Sequence, residues 1–132
     1  MKSLKTLVVI LTCFTTLISC AQSNDPIIGI WDVKTNHYEA IYEIVEHEGK
    51  FYGKAHYYND GDTEYSGDNN KEDYFITGIE LKNDQYLNGK MYSPDGSYHR
   101  VIFTMDDKDT LVVSMTIEGE YYSETWTRNT TY

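Results

Sequence analysis

Cysteine is nearly absent from this chain of 132 residues: there are only Cys13 and Cys20, both near the N-terminus. Nothing downstream can be stapled by a disulfide, so a packed core has to hold the fold. Bases are scarce too, with 11 lysines and arginines against 21 acids and a formal charge of −10. A surface of that sign repels phosphate backbones, which excludes nucleic-acid binding as a function. No apolar run reaches the roughly 20 residues that a membrane-spanning helix needs. No serine, cysteine or histidine sits in a nucleophile motif, and no pattern calls for a cofactor. The four histidines, His37, His47, His56 and His99, are scattered rather than spaced as zinc ligands.

The N-terminus, by contrast, is patterned. Lys2 and Lys5 precede an apolar run over residues 6–17, and small residues follow. That is the charge, hydrophobe and cleavage-site order of an export signal. Leu17-Ile18-Ser19-Cys20 resembles the lipobox of bacterial lipoproteins, in which the cysteine is acylated and becomes the new N-terminus. The resemblance implies a signal peptide over residues 1–19, a lipidated Cys20, and a short tether over residues 20–26. Removing Lys2 and Lys5 from the 11 bases leaves 9 against 21 acids, a charge of −12. Such a surface is repelled by anionic head groups, so attachment rests on the acyl chains. The expected location is the bacterial envelope, facing the periplasm or the cell surface.

Residues 27–132 form one domain's worth of chain. They divide into short pieces rich in tyrosine and β-branched side chains, separated by Gly, Asn and Asp turns. The pattern predicts eight strands, at about 27–33, 38–47, 50–58, 74–81, 85–92, 97–105, 110–117 and 120–128. Connections of two to five residues, such as Glu48-Gly49, Asn83-Asp84 and Glu118-Gly119, join antiparallel neighbours. An eight-stranded meander buries its edges by curling into a barrel or splitting into a sandwich.

Two hairpins define a register. Folding at Glu48-Gly49 sets Glu43 opposite Lys54 outside, with Tyr42 opposite Ala55 and Ile44 opposite Gly53 inside. Carried along both strands, this inward face runs from Ala40 to Tyr57 and leaves Tyr58 outside with Tyr52 and Tyr121. Folding at Glu118-Gly119 puts Leu111 across from Trp126 and Met115 across from Tyr122. Val101, Phe103 and Met105 extend the same inner wall.

Gly29-Ile30-Trp31 in the first strand and Trp126-Thr127-Arg128 in the last resemble the glycine-x-tryptophan and closing arginine of lipocalin-like barrels. The resemblance implies a structural latch, Arg128 over the Trp31 ring, worth roughly 0.5 to 2 kcal/mol. It also requires the last strand to lie beside the first, which closes the barrel. Together with Tyr42-Glu43-Ile44, Phe51-Tyr52-Gly53-Lys54 and the run from Asn88 to Gly96, these motifs resemble the bacterial family labelled domain of unknown function 2147. Its members are small exported proteins with no assigned reaction. That family has a proline- and leucine-rich segment between the third and fourth strands, where this chain has polar, acidic residues 59–73.

The acidic stretch, with six acids in fifteen residues, lacks EF-hand spacing and reads as a solvated loop rather than a calcium site. Glu124 is the one acid that alternation directs inward, four residues from Arg128. An inward carboxylate beside an arginine is usually a buried ion pair, and the same pair is able to orient a polar ligand group. The expected architecture is an all-β, eight-stranded antiparallel up-and-down barrel of the lipocalin type. Such barrels either fill with side chains or hold one small ligand. Gly53, Ala55 and Gly89 on inner faces favour the second, a non-enzymatic binding module with Tyr42, Tyr57, Tyr122 and Glu124 as candidate contacts for a small, partly apolar ligand. The alternative is an envelope interaction protein with a filled barrel, using outer tyrosines and the acidic loop.

Overall fold

A computed structural model describes residues 24–66 and 73–132. The expected signal peptide and Cys20 lie outside these residues, as do positions 67–72 of the acidic stretch. The described chain is all antiparallel β: β1 (Gly29–Lys34), β2 (Glu39–His47), β3 (Lys50–Asn59), β4 (Glu64–Ser66), β5 (Tyr74–Lys82), β6 (Gln85–Tyr92), β7 (Tyr98–Asp107), β8 (Thr110–Ile117) and β9 (Glu120–Arg128). The sheet runs β2-β1-β9-β8-β7-β6-β5-β3, and pairing of β3 with β2 closes it into an eight-stranded barrel. Closure at β1 and β9 aligns Trp31 with Arg128 and Val33 with Trp126.

Turn chemistry sets the meander. Glu48, Asn83, Asp84 and Glu118 have positive φ, as do Gly49 and Gly119. Positive φ at both central residues is the hairpin geometry whose twist matches that of the flanking strands. The registers that follow are Tyr42↔Ala55, Glu43↔Lys54 and Ile44↔Gly53 around the first turn. Around the last turn they are Leu111↔Trp126 and Met115↔Tyr122.

The first register does not run unbroken. A bulge at His56 pairs Ile41 with Tyr57 and Ala40 with Tyr58, while Tyr42 still faces Ala55. One extra residue reverses the faces beyond it. Tyr57 therefore leaves the inner face expected for it, and Tyr58, expected outside, takes its place against the core.

Residues 60–66 are exposed, as expected of a solvated stretch, but they are ordered by local hydrogen bonds. The Asp60 carboxylate accepts the Asp62 and Thr63 backbone N–H groups, and Asn59 Oδ1 accepts that of Gly61. This Asx-type turn folds β4 back on β3, with Tyr58↔Tyr65 in register. β4 hangs on the barrel as a ninth strand and takes no part in its closure.

The barrel is packed at one end and open at the other. Trp31, Ile44, Ile76, Phe103, Leu111 and Trp126 are fully buried in the packed half. Asp25 and Pro26, expected in the tether, belong instead to a turn that closes this end. Ile27 is its fully buried plug, and Asp25 Oδ1 accepts hydrogen bonds from Tyr86 Oη and the Ile27 N–H.

Candidate functional site: a tyrosine-lined cavity

The β1–β2, β6–β7 and β8–β9 turns and the β3–β4 segment surround the open end. Between them lies a wide-mouthed cavity of about 1250 Å³. Its floor is Tyr42. That ring lines the cavity and rests on Trp126 with centroids 5.0 Å apart, while Phe75 flanks it at 4.7 Å. Trp126 in turn meets Phe103 of the core edge-on at 5.5 Å. Ala55, Met91 and Met115 supply further apolar wall.

Tyr38 stands on the wall beside Tyr42 because the turn before β2 pins it. Thr35 Oγ1 accepts the His37 and Tyr38 N–H groups, and the Thr35 N–H donates to the Tyr38 carbonyl. The Tyr38 ring stacks on Tyr58 at 5.3 Å. Its hydroxyl donates to Glu124 Oε1 at 2.5 Å, and Trp126 Nε1 donates to the same oxygen at 2.9 Å. Two neutral donors thus position a carboxylate on the cavity wall. Burial, the neighbouring Tyr42 hydroxyl and the Glu124 carboxylate push the Tyr38 hydroxyl far above the ordinary tyrosine range. Burial and the charge of Glu124 push Tyr42 up likewise. Both stay protonated and remain hydrogen-bond donors.

Of the four expected contact residues, Tyr42, Tyr122 and Glu124 line the cavity and Tyr57 does not. Tyr122 sits at the rim, exposed, its hydroxyl donating to Glu120. Glu124 does not pair with Arg128. Four residues of extended strand span roughly 13 Å, which places the two side chains at opposite ends of the barrel. Nor do the inner glycines leave room. A Cβ on Gly53 would lie 2.8 Å from Ile76 Cδ1, and one on Gly89 would lie 2.8 Å from Val101 Cγ2. Only Ala55 of the three small residues faces the cavity. Tyr38 was the signal missed: alternation two residues before Ala40 puts it on the inner face.

Arg128 holds the other end. Its Cζ lies 4.4 Å from the centre of the Trp31 ring. Nη1 donates to the Ile28 carbonyl at 3.1 Å, Nη2 to the Pro26 and Lys108 carbonyls, and Nε to Lys108 at 3.0 Å. One side chain thereby ties the plug turn and the β7–β8 turn to β1. The tryptophan adds its own bond, Nε1 to the Ile27 carbonyl at 3.0 Å. No group of three or more metal-ligating side chains occurs among the described residues.

This architecture has a match among solved structures. The described barrel aligns with protein HP1028 from Helicobacter pylori, a protein described as belonging to the lipocalin family, with a TM-score of 0.61. The barrel is lipocalin-like. The alignment covers 80% of this chain and 84% of the other at 19% identity, so the likeness is one of fold. No protein-family model matches the lipocalin-like chain, and no curated protein matches it significantly.

Proposed function

We propose that this protein is a lipid-anchored, non-enzymatic binding module of the bacterial envelope that holds a small, partly apolar molecule in the open half of its barrel. The cavity carries this reading: an eight-stranded barrel filled by its own side chains would have none, and here about 1250 Å³ is open above a floor of Tyr42 on Trp126. Its walls combine apolar surface with a few placed polar groups, which is how small-molecule sites are built. The lipobox-like tetrad ending at Cys20 supports anchoring. The charge, hydrophobe and cleavage-site order of residues 1–20 supports the envelope location.

Titration with the neutral fluorophore N-phenyl-1-naphthylamine tests the cavity. Its emission rises on transfer to an apolar site, and Ala55→Trp, which fills the wall at the cavity, is expected to abolish that rise without unfolding the barrel. Equal binding by the variant would place the probe elsewhere and remove the support.

The alternative, an interaction protein, draws on one observation. Tyr98, Ile102 and Tyr121 are exposed by 46%, 42% and 71% on the outer face of β7–β9, and exposed aromatic surface of this kind suits a protein partner.

A further inference from the structure

We infer that the cavity selects a molecule bearing a positively charged nitrogen, an organic ammonium on an apolar body. The inference rests on the proposed binding role and names its ligand class. Among the described residues that line the cavity, Glu124 is the only acid that lies within a strand. Its Oε1 is occupied by Tyr38 and Trp126, both neutral donors, and no described lysine, arginine or histidine forms an ion pair with it. The arginine nearest in sequence, Arg128, is engaged at the opposite end. Among the described residues that line the cavity there is no lysine or arginine, while Asp60 and Asp73 add two more carboxylates at the mouth.

A half-buried carboxylate without a cation costs free energy that a cationic ligand would recover. Tyr38, Tyr42, Tyr58 and Phe75 line the same cavity, and aromatic faces attract ammonium groups through their quadrupoles. An anionic ligand would meet three carboxylates and, among the described lining residues, no lysine or arginine, with His37 and His99 the only bases there. A neutral apolar ligand would use the walls and leave the charge unanswered. The carboxylates and the aromatic rings of the site therefore discriminate in the same direction.

Displacement of N-phenyl-1-naphthylamine by three ligands with the same tail, octylammonium, octanol and octanoate, tests this on the folded domain. Octylammonium is expected to bind tightest and octanoate weakest. Glu124→Gln keeps an acceptor for Tyr38 and Trp126 but removes the charge. It is expected to weaken octylammonium by about tenfold or more while leaving octanol unchanged. Glu39→Gln, on the exposed outer wall, controls for attraction by the net charge and is expected to change nothing. Equal affinities for the three ligands, or equal losses in the two variants, would overturn the inference while leaving cavity binding intact. Failure of the wild-type protein to bind the fluorophore would remove the binding role itself and the inference with it. Because the three-ligand ranking is made on wild-type protein, it decides the question even if Glu124→Gln does not fold.

Discussion

Gly29 lies under Arg128. A Cβ on this residue, whose φ is +145°, would sit 2.7 Å from Arg128 Nη1. The glycine two residues before Trp31 is what lets the guanidinium settle over the indole, 4.4 Å from the ring centre. Motif and latch are thus one device, in which the missing side chain makes space for the cation.

Breaking the latch is expected to loosen the closed end. Arg128→Ala should cost about 1 to 3 kcal/mol through lost ring contact and the carbonyls it leaves unpaired. Adding Trp31→Ala should cost less than the two single losses summed. Gly29→Ala should also destabilise, and less so in the Arg128→Ala background, where the clash is gone. Urea denaturation of the single and double variants checks both cycles; additive losses would show that the residues act independently.

Small residues on the inner face are expected to split into two kinds. Gly89→Leu drives a side chain into Val101 and Ile79, and overpacking of this sort costs about 1 to 3 kcal/mol or more. Ala55→Leu enters open space and should change the melting temperature little while weakening binding of the fluorophore. Thermal unfolding without ligand compares the two, and similar losses would argue that the cavity closes in solution.

Alkaline pH is expected to unfold the barrel through its buried tyrosines. Burial holds the hydroxyls of Tyr38, Tyr42 and Tyr86 above their ordinary value of about 10, assisted by Glu124 for the first two and Asp25 for the third. Above that pH the unfolded chain gives up these protons and the folded chain keeps them. Stability is therefore full below about pH 10 and falls as pH rises beyond it. Tyr42→Phe should flatten the fall, as read by urea midpoints across an alkaline series.

Membrane attachment is expected to depend on Cys20. Cys20→Ser should leave an uncleaved precursor or a soluble product. Cell fractionation and mass spectrometry of the N-terminus distinguish these from an acylated, membrane-bound protein. A variant that matures and partitions like the parent would rule out the anchor.

Local chemistry made much of this barrel legible in the sequence. Alternation marked the strands, and Glu48-Gly49 and Glu118-Gly119 set their hairpin registers, because a two-residue turn leaves the flanking strands no freedom to slide. The same turns put Tyr42 and Glu124 inside, so part of the site was readable too. What lay beyond local reach depended on strands distant in sequence. The His56 bulge, which exchanges Tyr57 for Tyr58, lies where β3, paired with β2 on one edge, changes partner on the other from β5 to β4. Gly53 and Gly89 are small in sequence but not empty in space, because Ile76, Ile79 and Val101 fill the volume over them. Glu124 and Arg128, four apart in one strand, part company because an extended chain carries them to opposite ends. The sequence by itself determined strands, turns and a closing motif, all products of near-neighbour sterics and alternation. Which end of the barrel is packed and which is open was decided only in three dimensions, where side-chain volumes from all eight strands compete for one interior.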